Sequence, residues 1–390
     1  MSKESILLVD HAERDHLLPL TFTRPVADIR VGAFTIAEKW EKRFGFDKGY
    51  LTQDYLTQVF KSDIGIFNYA VNGSVIPTQD FVDQLEALQN GQSLYKDGVW
   101  LATKTENFDL NEVSNAESLE AECEVHRIDR NWKIFQLNDW ALREDFDWIT
   151  QNLEAEYSLP EGITLIGDQI FVEKGAKVGP SIINSTTGPV YLAKDSEVME
   201  GSMIRGGLAL MHGSTLKMGV KIYGATTIGP HSKVGGEVNN CVILGYSNKG
   251  HDGFIGNSVI GEWCNLGADT NTSNLKNNYS MVKIFNYALG RSESTQSQFC
   301  GLTMGDHSKS GINTMFNTGT VCGIFANVFG SDFPHRRIPD FGWGGAAGFK
   351  HYRIADALQV AETVMSRRSV VLTEEWKQVY THLSELLKAE

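Results

Sequence analysis

Aliphatic side chains recur at every sixth residue through the middle of this chain. Leu192, Val198, Ile204, Leu210, Leu216, Ile222, Ile228 and Val234 are eight successive positions on that beat. Val172 and Val178 keep it upstream. Phe254, Ile260 and Leu266 resume it downstream, and Met304, Phe316, Cys322 and Val328 follow after a long insertion. A helix repeats its inward face every 3.6 residues and a strand every two, so neither produces a period of six. A parallel β-helix does. Each triangular coil takes about eighteen residues, with one aliphatic side chain per six-residue face pointing to the axis. Glycine suits the corners, where the turn demands unusual φ, and of 38 glycines only seven lie outside the stretch Gly162 to Gly348. Open coil ends need caps, and such stacks commonly associate with copies of themselves.

The flanks read differently, which predicts three parts: an α/β domain over 1–155, the β-helix over 160–345, and a helical segment over 346–390. The first part mixes apolar strand-like runs (Ile6 to Val9, Ile64 to Phe67) with an amphipathic helical pattern from Ile36 to Phe44 and a turn signal at Asn72-Gly73. At the other end, Ala355 to Met365 is helical in pattern. Thr373 can cap a second helix that carries Trp376, Val379, Tyr380, Leu383 and Leu387 on one face. These helices are expected to pack on the final coils or on a neighbouring subunit. A net charge of −13 argues against a nucleic-acid partner. No apolar run approaches the ~18–20 residues that span a bilayer, and the N-terminus shows no cleavage-site pattern, so a cytoplasmic protein is expected. The five cysteines (Cys123, Cys241, Cys264, Cys300, Cys322) form no C-x-x-C pair and read as buried thiols rather than a disulfide framework or a zinc site. No metal ligand set is expected.

The segment Gly235 to Ile284 carries a specific likeness. It reads Gly250-His251-Asp-Gly-Phe254-Ile-Gly256-Asn257, then Asn265-Leu-Gly267-Ala268-Asp269-Thr270, then Asn274. This resembles the acetyltransferase half of bifunctional UDP-N-acetylglucosamine pyrophosphorylase/glucosamine-1-phosphate N-acetyltransferases, in their archaeal-type and alternative bacterial forms. There, G-H-x-x-Y-x-G-D and N-x-G-A-G-T surround the acetyl-transfer site. The resemblance implies a left-handed coil, a homotrimer, acetyl-CoA as donor and His251 as catalytic base. An amine attacking a thioester must shed a proton, and imidazole titrates near neutral pH. By the same matching, Asn265, Asn274 and Phe254 face the amino sugar and Ala268 meets acetyl-CoA. Lys276 and Lys283 are candidates for the sugar phosphate. A second block, Met304-Gly-Asp306-His307-Ser-Lys309-Ser-Gly-Ile-Asn313, resembles the archaeal-type G-G-H-x-[RK]-T-G-I-N stretch and implies that His307, Lys309 and Asn313 line the donor groove. An equally open reading makes Asn313 a structural ladder residue. Phe254 stands where the family usually has tyrosine, Asp269 where it has glycine, and Asn239 where the common bacterial form has lysine. The acceptor sugar therefore stays open.

Leu17-Leu-Pro-Leu-Thr21-Phe-Thr-Arg24-Pro25 resembles the R-P-L-T…T-R-P-K segment of sugar-1-phosphate nucleotidyltransferases. In that family a preceding glycine-rich loop cradles the triphosphate. Here the matching stretch, Asp10 to His16, has no glycine, and Val26 replaces the lysine. Arg14, Arg24 and Arg30 are the remaining candidate nucleotide phosphate ligands, with Mg²⁺ implied only if this domain is active. Two other functions compete with acetyl transfer. One is a nucleotidyltransferase whose β-helix is a stem, and the other is a non-catalytic sugar-nucleotide-binding protein.

Overall fold

A computed structural model describes residues 4–62, 67–105, 116–156 and 159–389. The expected strand run at 64–67 lies, apart from Phe67, outside the described residues. By compactness the chain divides into two units. The first is Met1–Leu17, Thr23–Ile29 and Phe34–Arg130; the second is Leu18–Phe22, Arg30–Ala33 and Asn131–Glu390.

The first unit is an α/β layer. Its strands are β1 (Ser5–Val9), β2 (Asp47–Leu51), β3 (Tyr69–Asn72), β4 (Gln92–Lys96), β5 (Val99–Lys104) and β6 (Glu117–Glu120), in the sheet order β2-β1-β3-β5-β4-β6. β1 is parallel to both β2 and β3. Helix α1 (Ile36–Phe44) makes the crossover between β1 and β2 and starts at a capping box, with the Thr35 hydroxyl accepting from Glu38 N–H and the Glu38 carboxylate accepting from Thr35 N–H. Ile36, Ala37 and Trp40 are buried. Helix α2 (Gln79–Glu86) is capped by Thr78 and buries Phe81, Val82 and Leu85.

The second unit is the coil that the period of six predicts. Three sheets of six, nine and ten strands form its faces, parallel throughout except for the last strand of the third, Gly348–His351, which turns back antiparallel on Gly342–Gly345. Across the second face, Val190, Leu208 and Thr226 are stacked partners eighteen residues apart. All eight beat positions from Leu192 to Val234 are buried in one axial cluster. The long insertion after Asn271–Thr272 is an antiparallel hairpin, Lys283–Asn286 with Arg291–Ser294, and the coil resumes at Thr303–Met304.

Two details differ from expectation. Phe254 is not an axial residue: it pairs with Glu237 on the outer side, and its neighbour Ile255 pairs with Val238 and fills the axis. Coils here are shorter, since Thr227 pairs with Val242 only fifteen residues on. The inward phase therefore slips by one, and the axial run becomes Val234, Val238, Ile243, Lys249, Ile255. The second difference is at the corners, which are not reserved for glycine. At one of them His231, Tyr246, Trp263, His307, Phe325 and Phe341 all take left-handed φ between 51° and 60°. Their rings stack from coil to coil at centroid separations of 5.0, 4.2, 6.2, 4.5 and 5.1 Å. Left-handed backbone costs roughly 1 kcal/mol per non-glycine residue, and a stacked ring returns a similar amount.

Helices α3 (Asn131–Gln136) and α4 (Asn138–Asn152) cluster with the coil, well before residue 155. Buried Asn138 explains the attachment. Its amide accepts from Gly32 N–H (2.7 Å) and Thr227 Oγ1 (3.1 Å) and donates to the Ala225 carbonyl (3.0 Å). At the C-terminus, α5 (Ile354–Ser366) and α6 (Glu374–Leu386) form as the pattern predicts, with Thr373 accepting from Trp376 N–H. Tyr380 of α6 packs edge-on against His307 and Phe325, so the last helix is seated on the aromatic corner.

Candidate functional site

His251 lies in the four-residue turn between the third-face strand Asn248–Lys249 and the first-face strand Phe254–Gly256, and it is exposed. Gly253 closes the turn with φ of +108°, and a Cβ there would stand 2.3 Å from the Thr270 carbonyl oxygen. Beneath the turn is a residue that the sequence reading passed over. Lys249 pairs with Val234, so it takes an inward slot that other coils fill with an aliphatic side chain, and it is only 3 % exposed. Its ammonium turns up to donate to the carbonyl oxygens of His251 (2.5 Å) and Asp252 (3.0 Å). Burial lowers its pKa to about 8, with Asp252 and Asp269 opposing the shift. A buried cation thus fixes the two carbonyls of the turn that presents the imidazole.

The next coils stack on this corner. Asp269 N–H donates to the Asp252 carbonyl (3.0 Å) and Asn313 N–H to the Ala268 carbonyl (2.8 Å). His251, Ala268 and Asn313 therefore share one edge of the coil, with Asp269 and Asn313 in left-handed backbone. Along the first face, Phe254 points outward and is half-buried, and its N–H donates to Asn271 Oδ1 (2.8 Å). Asn274 donates to Asn257 Oδ1 (2.8 Å) over Gly256, where a Cβ would stand 2.6 Å from the Asn274 amide nitrogen. Asn265 is exposed on the third face, in register with Asn248 and Lys309.

Other candidates are placed elsewhere. Lys276 donates to the Met281 carbonyl within the insertion (3.1 Å), and Lys283 is exposed on the hairpin. His307 is 1 % exposed, sandwiched between Trp263 and Phe325, with Nε2 3.1 Å from Tyr380 Oη. That position makes it a packing residue of the corner, with no surface to offer a donor molecule. Lys309 donates to the His307 carbonyl (2.8 Å), and burial lowers its pKa to about 8.

In the first unit, a cleft of about 460 Å³ opens at the C-terminal end of β1, lined by His11, Glu13, His16, Trp100, Arg127 and Arg130. Ligands of open α/β sheets commonly enter at such a strand end. Burial alone would raise the Glu13 pKa, but the facing His11 ring and the Arg127 guanidinium more than offset it and hold it near about 2. The three expected phosphate ligands are committed elsewhere. Arg14 is buried and donates to Asp15 Oδ1 (2.8 Å) and Tyr55 Oη (2.6 Å). Arg24 is buried with Asp28 at 3.9 Å, and Arg30 is buried, donating to the Ala33 and Leu244 carbonyls. Among the described residues no three His, Cys, Asp or Glu side chains converge as a metal cage. The five cysteines are free thiols, four of them buried.

The chain is similar in part to known proteins. Residues 6–154 match the sugar nucleotidyl transferase family. Over 278 residues the chain is 25 % identical to a bifunctional sugar-1-phosphate nucleotidylyltransferase/acetyltransferase of Sulfurisphaera tokodaii, covering 71 % of this chain and 59 % of that protein. Over 87 residues it is 37 % identical to the bifunctional protein GlmU of Methanocaldococcus jannaschii, covering 22 % of this chain and 21 % of that one. The chain thus spans less than two thirds of the length of either relative. Among solved structures, the acetyltransferase domain of PglB from Neisseria gonorrhoeae in complex with acetyl coenzyme A is 12 % identical at a TM-score of 0.19, covering 90 % of this chain and 99 % of that one. The resemblance read from the motifs holds: the chain is similar to bifunctional sugar-1-phosphate nucleotidylyltransferase/acetyltransferases.

Proposed function

We propose that this chain is an acetyl-CoA-dependent N-acetyltransferase acting on an amino-sugar phosphate of the glucosamine-1-phosphate kind, and that it works as a homotrimer. The observation that carries the reading is the exposed His251, presented on a turn that a buried lysine fixes, on the same coil edge as Ala268. In the reaction the sugar amine attacks the thioester carbonyl carbon. The C–N bond forms, the C–S bond breaks, and the products are an amide and a free thiol. His251 takes the proton that the amine sheds and returns it to the departing thiolate. A thioester is already activated, so no covalent enzyme intermediate is required, and corner N–H groups are suited to the transient oxyanion. Asn265, Asn274 and Phe254 are the proposed sugar contacts, with Lys276 or Lys283 on its phosphate. The exposed Ile182 and Met203 on the outer side of the first sheet supply apolar surface for self-association.

Nucleotidyl transfer by the first unit is proposed to be weak or absent. The loop after β1 has no glycines to present backbone amides, and Arg14, Arg24 and Arg30 already serve internal partners. No helix of the described residues is long and apolar enough to cross a membrane, in keeping with a proposed cytoplasmic location. Mass spectrometry after incubation of the full chain with glucosamine-1-phosphate and acetyl-CoA, then with each NTP and Mg²⁺, separates the readings. The expected result is a 42-Da gain on the sugar phosphate (the mass of one acetyl group replacing hydrogen, on the order of 42) with little or no pyrophosphate. Pyrophosphate release without acetylation would favour the nucleotidyltransferase, and neither product would favour a binding protein. Sedimentation as a stable monomer at micromolar concentration would remove the trimer.

A further inference from the structure

The outer side of the third sheet carries a second feature. Lys233, Asn248, Asn265 and Lys309 are register partners across successive strands, so they form one row facing away from the axis. The C-terminal end of α5 crosses this row and encloses a groove of about 400 Å³, lined also by Tyr246, Trp263, Arg367 and Arg368. Arg368 Nη2 donates to Asn248 Oδ1 (2.9 Å), tying the end of the helix to the sheet.

Four cationic side chains line this groove and no carboxylate does. Among the described residues, none of Lys233, Lys309, Arg367 and Arg368 makes an ion pair. Lys233, Arg367 and Arg368 act on one another instead. Burial and then the charges of Arg368, Lys217 and Arg367 hold the Lys233 ammonium below its ordinary range, and Glu197 opposes this only in part. Burial and Arg367 act likewise on Arg368. Clustered uncompensated cations destabilise a fold on their own, and on a chain of net charge −13 they are out of keeping with the rest of the surface. A multiply charged anion would relieve the repulsion. Guanidinium forks match phosphate oxygens in pairs, and the ammonium groups add point charges.

We propose that the groove between the third sheet and the end of α5 is a phosphate-binding site, in which Lys233, Lys309, Arg367 and Arg368 hold the phosphate of a small phosphorylated ligand. Two sources share this chemistry: the nucleotide end of a coenzyme donor and the phosphate of the acceptor sugar. The choice between these sources rests on the acetyl-transfer reading, but the affinity of the groove for phosphate does not. Calorimetric titration of the full chain with inorganic pyrophosphate, adenosine 3′,5′-bisphosphate and glucosamine-1-phosphate tests it. The comparison is with the double variant Arg367→Gln/Arg368→Gln, whose melting temperature reports its folding, and with Lys177→Gln on an early coil as a charge control. We expect at least one probe to bind the wild type and to weaken about tenfold or more in the double variant, the scale of a lost charge-assisted hydrogen bond. Lys177→Gln should bind as the wild type does, and added salt should weaken binding. Preference for the adenosine bisphosphate assigns the groove to the donor, and preference for the sugar phosphate assigns it to the acceptor. Binding of every probe to the double variant as tightly as to wild type, or no binding to wild type, would overturn the site. A groove that binds pyrophosphate in a protein that acetylates nothing would keep the site and remove only the acetyl-transfer reading.

Discussion

Lys249 is the residue on which the candidate site depends and the one the sequence hid. A lysine between an asparagine and a glycine reads as a surface side chain, and only the phase of the axial run reveals it. From Ile243 the beat of six lands on Lys249 and then on Ile255, so the signal was present once the slip at Phe254 is known. Its folded pKa of about 8 lies below the 10.5 of an unperturbed lysine. Between those values the unfolded chain binds more protons than the folded one, so stability rises with pH from about 8 to 10.5, by up to ~3 kcal/mol. Urea unfolding at both ends of that window should show the rise in wild type, and Lys249→Met should lose that share of it. The same variant should lower kcat about tenfold with little change in the KM for acetyl-CoA, because a turn without its two tethers misplaces the imidazole. An unchanged kcat beside the lost pH slope would make Lys249 purely structural. The arginines teach a related lesson. Asp10 with Arg14 and Arg24 with Asp28 are four residues apart in sequence, so their internal pairing could have been read before any phosphate was assigned to them.

At the scale of elements, the period of six carried most of the information. It located the coil, the insertion and the buried face of the strands from Leu192 to Val234, because one axial side chain per face is a condition that a sequence must meet repeatedly. Leu216 shows how strict the condition is. It stacks between Val198 and Val234 and has no exposed surface. Leu216→Ala should cost about 2–5 kcal/mol by the cavity it leaves. Leu216→Asp, which strands a charge on the axis, should cost more than ~4 kcal/mol and abolish cooperative unfolding. Denaturation curves check both, and a Leu216→Asp protein that unfolds like wild type would contradict the axial assignment. The aromatic corner was not legible. Its members recur at intervals of 15, 17, 44, 18 and 16 residues, and no side-chain pattern announces left-handed backbone at His231, Tyr246 or Trp263. From sequence, His307 two residues before Lys309 in a turn looks like a donor contact, whereas its ring lies between those of Trp263 and Phe325.

Across the whole molecule, architecture and chemistry come from different parts of the sequence. The repeat sets the coil, whose edges hold loops at fixed heights, and the turn at 250–253 uses one such edge to expose an imidazole. Local chemistry then decides what the edge does, and the proposed acetyl transfer rests on the His251 imidazole. The most direct measurement is the initial rate of free-thiol release from acetyl-CoA with glucosamine-1-phosphate, comparing wild type with folded His251→Ala. General-base catalysis typically contributes about 10²- to 10⁴-fold. The expected result is a loss of kcat of that order at an unchanged KM for acetyl-CoA. Full thiol release by a folded His251→Ala protein would contradict it.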